Sequence, residues 1–297
     1  MNHKKLLLQM IGLTLVMLLL VACGAPQPAP TPTPVPPTAT PIPPAPTPVP
    51  PTNTPVPPTP TTAPTEELTE WDLFFISDSS GFGAGELYAE HIERDLGVTV
   101  RLHDLALGAL SAGRVLRALR GEPEYNAVLQ KLPTLVREAE AAVVVFCANA
   151  GDSVSQTHPI LGCVSPLPYV GECSPESFEQ YRADLEAVYE QILTLRSDAP
   201  TIIRAHDAYH TIYSRYRESG YDECVRCWEN YNEAIHQAAA ARNVPIAHVY
   251  DAFNGPNHDE DPRDKGYIGP GGEDISEAGQ KVIADLLREL GYEPLSP

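Results

Sequence analysis

The chain has 297 residues, 43% of them hydrophobic, and a net charge of −19 from 39 acidic side chains against 20 Lys and Arg. That balance argues against a nucleic-acid partner, because phosphates draw clustered positive charge, and against electrostatic docking on anionic lipid. Of its 32 prolines, 19 fall between Pro26 and Pro64, a stretch with no charged residue. Setting aside that stretch and the apolar N-terminus leaves about 230 residues, enough for one domain with a sizeable core.

Residues 1–22 have the composition of a signal peptide: His3, Lys4 and Lys5 form a positive end, and an apolar run extends from Leu6 to Ala22. The run closes on Leu20-Val21-Ala22-Cys23, which resembles the lipobox of bacterial lipoproteins. In that family the signal is cut before the cysteine, which then carries lipid, so Cys23 is the expected lipidation site. A simple secretory signal or a single membrane anchor is the alternative, since this largely apolar run of 17 residues nearly reaches bilayer thickness. Residues 23–68 are the anchored cysteine followed by a Pro/Thr-rich linker. Within it a seven-residue unit occurs four times, beginning at Thr33, Thr40, Thr47 and Thr54. Proline at this density fixes φ and removes donors, so the segment favours polyproline II and cannot pack a core. At ~3.1 Å per residue, Pro26 to Pro64 spans up to about 120 Å. The expected localisation is extracytoplasmic, lipid-anchored and held off the membrane on a semi-rigid stalk.

Residues 69–297 alternate strand and helix. Trp71 to Ser77 is an apolar run that predicts a first strand, followed by a helix from Ala84 to Leu96 with Gly97 as its stop. Val98 to Leu102 predicts a second strand, and Ser111 to Arg120 and Tyr125 to Ala139 have helical periodicity. Ala141 to Cys147 is apolar throughout, as expected for a strand buried on both faces. Ser174-Pro175 opens a long helix reaching Arg196. Thr201 to Ala205 predicts a fourth strand, Cys224 to Arg242 a helix, Pro245 to Tyr250 a fifth strand, and Ser276 to Leu290 a closing helix. Five strands alternating with helices imply an α/β fold, a three-layer α/β/α sandwich on a five-stranded parallel sheet. Ligand sites in such sheets lie beyond the carboxyl ends of the strands.

Four loops at those ends carry chemistry: Ser77-Asp78-Ser79-Ser80-Gly81, Leu107-Gly108-Ala109-Leu110-Ser111, Ala148-Asn149-Ala150-Gly151-Asp152, and Gly271 to Gly279 before the last helix. In order and spacing they resemble the blocks of the SGNH (GDSL-type) hydrolases, whose fold is flavodoxin-like. The resemblance covers about Trp71 to Tyr292. It implies an ester hydrolase acting on a small ester or acylated carbohydrate, with no cofactor, as a monomer. It places Ser79 at the nucleophile position, Gly108 at the glycine that offers a backbone N–H to the oxyanion (with Gly113 as rival), and Asn149 at the side-chain oxyanion donor.

The sequence departs from this pattern in three blocks. Ser77 stands for the first-block glycine, and the third block reads Cys147-Ala148-Asn149-Ala150. Most consequentially, Asp274 occupies the position of the catalytic histidine, five residues before Gly279, and Gly271 that of its supporting aspartate. A serine hydroxyl needs a neighbouring base with a pKa near the working pH, and an exposed Asp at ~3.9 is a poor one. Turnover is therefore expected to be weak or lost. A binding module for cell-wall or other glycan, and a structural surface lipoprotein, are the alternatives. His258, in the loop before the last block, is the first substitute base to consider. His206 and His210 follow strand four, and His248 reads as a structural histidine within strand five. The acidic run from His258 to Asp264 offers oxygens to Ca²⁺ but lacks a calcium-loop spacing, so a solvated loop is expected there, and no metal site emerges.

Outside the cell disulfides are permitted. Cys163 and Cys173 bracket a proline-containing loop, and pairing them would stiffen a rim of the cleft. Cys224-Val-Arg-Cys227 has the spacing of a zinc half-site or redox motif but lacks the context of either. A structural bridge, or cross-pairing with the 163–173 loop, is expected, with Cys147 free in its apolar strand. The lipid anchor is testable directly. Metabolic labelling with a tagged fatty acid is expected to mark the wild type and not Cys23→Ala; equal labelling of the two, or none in the wild type, refutes lipidation at Cys23.

Overall fold

The computed structural model describes residues 69–154, 158, 160, 163, 173–211, 221–269 and 274–295. Residues 1–68, which include the expected signal segment, Cys23 and the proline-rich stretch, lie outside the described residues, as does Gly271. Five strands form one parallel sheet: β1 (Glu70–Ser77), β2 (Thr99–Ala106), β3 (Ala142–Cys147), β4 (Thr201–His206) and β5 (Ile246–Ala247), in the order β2-β1-β3-β4-β5. Seven helices accompany them among the described residues: α1 (Ala84–Leu96), α2 (Ala112–Leu119), α3 (Ala127–Glu138), α4 (Glu179–Leu195), α5 (Tyr221–Ala241), α6 (Val249–Asn254) and α7 (Glu277–Glu289). This is the expected three-layer α/β/α arrangement.

Strand alternation divides the core in two. Phe74, Ile76, Val144 and Phe146 point to one face, where α2, α3, α4 and α5 pack. Leu73, Phe75, Val143 and Val145 point to the other, against Tyr88 and Ile92 of α1, Phe253 of α6 and Ile283 of α7. Every residue of β3 is buried, which is why its sequence is apolar without alternation. The helix ends follow local chemistry. Ser111 caps α2 by accepting the Arg114 amide, Asn126 caps α3 through the amides of Val128 and Leu129, and Ser276 caps α7 through that of Gly279. The helix read from Ser174 starts as a 3₁₀ turn, Pro175–Phe178, before becoming α4.

Strand five departs from expectation. Only Ile246 and Ala247 pair with β4, and the chain then turns into α6. The reason is a long-range cap. Asp207, immediately after β4, is 1% exposed, and its Oδ1 accepts the Tyr250 amide of the first turn of α6 at 2.7 Å. Burial alone would raise its pKa, but hydrogen bonds from His236 and His248 and from that amide hold it down to about 2. His248 thus precedes a helix at the sheet edge, and its side chain is 59% exposed.

The four candidate cysteines cross-pair: Cys163 with Cys224 and Cys173 with Cys227. Both bridges end on the first two turns of α5. Cys147 is free and buried.

Gly81 closes the turn after β1 under tight sterics. A Cβ there would stand 2.4 Å from Ser77 Oγ, 2.8 Å from Ser77 Cβ and 2.9 Å from the buried Phe75 ring. Gly81→Ala is therefore expected to lower the unfolding free energy by about 1–3 kcal/mol, as overpacking does. Urea denaturation measures this, and an unchanged midpoint refutes the packing argument.

Candidate active site

The carboxyl ends of β1 and β3 are adjacent, and the loops leaving them form one wall of a cleft of about 680 Å³. Ser79 begins a 3₁₀ turn, Ser79–Gly81, whose N-cap is Asp78. Asp78 Oδ1 accepts from both the amide (2.9 Å) and the hydroxyl (2.6 Å) of Ser80, and the Asp78 amide donates to the Cys147 carbonyl at 3.1 Å. These bonds occupy Asp78 and Ser80. Ser79 is left exposed on the cleft, and its hydroxyl meets no hydrogen-bond partner among the described residues.

Asn149 lines the same cleft. Its Oδ1 turns back to accept the Gly151 amide at 2.8 Å, which leaves Nδ2 as the available donor. Its backbone is stitched to the neighbouring loop: the Asn149 amide donates to the Leu110 carbonyl at 2.9 Å, and the Ala112 amide to the Asn149 carbonyl at 3.0 Å. In that neighbouring loop, Ala109 and Ser111 reach the cleft, whereas Gly108 is not among its lining residues. Ala109 has φ +57°, a left-handed conformation that glycine takes more readily than alanine. The left-handed position of this loop is thus filled by Ala109, a residue type that does not advertise such a conformation. Gly113 sits within α2, where an added Cβ would stand 3.0 Å from an Asp152 carboxylate oxygen.

The far wall consists of Ala208, Tyr209, Trp228 and Tyr231. The rim carries Arg114, which forms a bidentate pair with Glu124 (2.9 and 2.8 Å) and lies 4.3 Å over the ring of Tyr125. The Arg114 guanidinium holds the Glu124 carboxyl down to about 2. Tyr125 is 88% exposed, so the mouth of the cleft offers an open aromatic face beside polar groups. Sequence inspection singled out none of these rim residues, which come together only through the packing of α2 against the loop before α3.

Among the described residues, no histidine lines the cleft. Asp274 is exposed, and its carbonyl accepts the Gly269 amide at 2.7 Å; it does not line the cleft either. The scaffold around it is kept close, because a Cβ on Gly279 would stand 2.4 Å from the Tyr267 carbonyl oxygen, so only glycine lets α7 approach there. His258 lies apart, in a shallow depression with Glu229 and Asn257. Its ring nitrogens face Glu229 at 2.6 Å and Asp251 at 2.8 Å, and it stacks on Tyr250. Burial would lower its pKa, but the two carboxylates raise it instead, which makes this imidazole an ion-pair partner. His206 and His210 are fully buried, and desolvation pushes both down, His210 to about 4. His210 stacks on Trp228 behind the cleft wall.

No protein-family model and no curated protein matches the sequence. Solved structures match the fold. A lipase from a goat rumen metagenome is 18% identical with a TM-score of 0.53, over 75% of this chain and 98% of that one. An acetylxylan esterase from Geobacillus stearothermophilus is 16% identical at a TM-score of 0.48, over 76% and 97%. A lipase/acylhydrolase from Enterococcus faecalis is 14% identical at 0.45, over 74% and 95%. The architecture shared with the goat rumen lipase is a three-layer α/β/α fold on a parallel sheet.

The cleft floor supplies a chemical check. Burial pushes the Cys147 thiol well up, so little thiolate forms at moderate pH. Cys147 in the native protein is expected to resist iodoacetamide at pH 8 and to be alkylated fully in denaturant. Peptide mapping measures this, and rapid native labelling would contradict the buried floor.

Proposed function

We propose that this domain is an SGNH-type ester hydrolase for a small ester or acylated carbohydrate, with turnover limited by the aspartate at position 274. The observation that carries the reading is the meeting of Ser79 and Asn149 on one cleft, where the Ser79 hydroxyl and Asn149 Nδ2 meet no hydrogen-bond partner among the described residues. In this mechanism Ser79 Oγ attacks the acyl carbonyl. Asn149 Nδ2 and a backbone N–H of the Gly108–Ala109 loop receive the negative charge on the carbonyl oxygen. The Ser79 proton passes to solvent water, which returns one to the departing alkoxide as the ester C–O bond breaks, and a second water then hydrolyses the acyl-serine ester to the carboxylic acid and restores the Ser79 hydroxyl. One oxyanion donor is typically worth about 10²–10³ in rate. The open aromatic face of Tyr125 and the polar Arg114 and Asp152 at the rim suit a sugar ring better than a long acyl chain. The proposed setting is the outer face of the membrane, on the lipid-anchored stalk.

A second reading has its own observation: no imidazole lines the cleft among the described residues. On that reading the domain holds an acylated glycan without turnover.

A fluorophosphonate probe separates the two. Labelling at Ser79, abolished in Ser79→Ala and slowed in Asn149→Ala, is expected of the hydrolase; absence of labelling supports the binding module. Restoring the missing pair with Gly271→Asp and Asp274→His is expected to raise hydrolysis of short acyl esters by about 10²–10⁴, the usual contribution of a positioned general base. Equal activity of Ser79→Ala and wild type would end the mechanism.

A further inference from the structure

Away from the cleft, three side chains from separate parts of the fold converge on one carboxylate. Asp207 leaves β4, His236 lies in the last third of α5, and His248 stands just before α6. His236 Nε2 is 3.0 Å and His248 Nδ1 is 3.2 Å from the same oxygen, Asp207 Oδ2. The two imidazole rings meet edge to face with centroids 5.5 Å apart. None of the three lines the cleft.

We propose that Asp207, His236 and His248 form a binding site for a divalent transition metal of the zinc class. Asp207 Oδ2, His236 Nε2 and His248 Nδ1 are the ligands, and solvent takes the fourth position.

The geometry is close to what such an ion needs. Metal–ligand bonds of ~2.0–2.2 Å in a tetrahedral site set ligand atoms about 3.3–3.5 Å apart. Here the three candidate ligand atoms all lie within 4.8 Å of one another, with two of the separations already near 3 Å. Two imidazoles with one carboxylate suit zinc and its neighbours, whereas Ca²⁺ and Mg²⁺ take oxygen-rich shells.

The supports of the ligands are also in place. Asp207 is buried, and its other oxygen is held by the Tyr250 amide, which orients Oδ2 toward the histidines. Such outer bonds typically tune metal affinity. His236 is brought into position by the helix it sits on. Trp228 Nε1 donates to the Ala208 carbonyl at 2.7 Å, and Asn232 bonds the Ala208 amide and carbonyl at 2.8 and 2.9 Å. Trp228, Asn232 and His236 are spaced by four, so they form one stripe of α5 along the exit of β4. The His248 ring is 59% exposed and that of His236 38%, so an ion and a solvent ligand reach the site without unfolding. An occupied site would tie α5 and the start of α6 to Asp207, one residue from the Ala208–Tyr209 segment of the cleft wall. The inference does not depend on the hydrolase reading.

The experiment uses the full chain, stripped with a chelator and kept oxidised so that Cys173 and Cys227 stay in their disulfide beside His158. Calorimetric titration with Zn²⁺ is expected to show one ion per chain, and Co²⁺ to give the visible bands of a low-coordinate nitrogen–oxygen site. His236→Gln and His248→Ala are each expected to weaken Zn²⁺ binding at least tenfold and to remove the rise in thermal midpoint that Zn²⁺ causes in wild type. Both rings are partly exposed, and unfolding measured without metal establishes that each variant folds; if one does not, the other decides. His258→Ala, which alters the separate Glu229–Asp251 cluster, is expected to bind as wild type. No saturable Zn²⁺ binding in wild type, or binding that survives both His236→Gln and His248→Ala, overturns the proposal.

Discussion

The candidate site rests on the parallel register between β1 and β3. Ser77 stands opposite Cys147, and Ser79 and Asn149 are each two residues further on. The chain therefore delivers a hydroxyl and an amide side by side at the sheet's edge, and the Asp78 amide bound to the Cys147 carbonyl locks the two exits together. A slip of one residue would turn Phe74, Ile76 or their β3 partners toward the opposite core. Since misfitting side chains in a packed core typically cost about 1–3 kcal/mol, the two hydrophobic layers hold this register. The third exit is held the same way, for the Leu107 amide donates to the Ser77 carbonyl and delivers Ala109 to the same cleft.

Much of this was legible in the sequence, for definable reasons. An apolar run such as Ala142–Cys147 has few alternatives to a doubly covered strand, and the caps at Ser111 and Ser276 act within three residues of themselves. What escaped depends on partners distant in the chain. Strand five reads as continuing to Tyr250, and only the carboxylate of Asp207, 43 residues earlier, takes the Tyr250 amide into a helix. Cross-pairing of the cysteines is one of the arrangements that Cys spacing leaves open, and it is decided by α5 bringing Cys224 and Cys227 beside Cys163 and Cys173. In the second loop it is Ala109, beside Gly108, that lines the cleft in the left-handed conformation, a conformation set by the fold rather than by the residue type. His258 was a reasonable substitute base by position, but Glu229 and Asp251 claim both of its nitrogens.

The chemistry of the cleft is asymmetric as a result. One wall presents what an oxyanion needs: an amide side chain fixed by its own oxygen, next to exposed backbone. Groups near Ser79 that can accept a proton are otherwise engaged or unfit. Asp78 is taken by Ser80, the Cys147 thiol is held neutral by burial, and His206 and His210 are buried outside the cavity. In the proposed mechanism the missing general base corresponds to about 3–5 kcal/mol of activation free energy, given its usual 10²–10⁴ in rate. Around Asp274, Gly279 admits the Tyr267 carbonyl and Ser276 caps the last helix.

Helix α5 links these features mechanically. Its first turns carry both disulfides, its middle supplies Trp228 and Tyr231 to the cleft, and the Trp228–Asn232–His236 stripe follows the exit of β4. Three different kinds of bond therefore hold one 21-residue helix against the sheet: covalent bridges at one end, neutral hydrogen bonds in the middle, and a charged carboxylate near the other. Because β5 contributes only two residues of pairing, the edge of the sheet beyond β4 has little ladder of its own. Side chains of α5 and the Asp207 carboxylate take over that role, so the far wall of the cleft is positioned by a helix rather than by a strand. The two walls are accordingly built to different rules. The Ser79–Asn149 wall inherits the rigidity of central strands, while the Trp228–Tyr231 wall is as stable as the contacts that keep α5 in register.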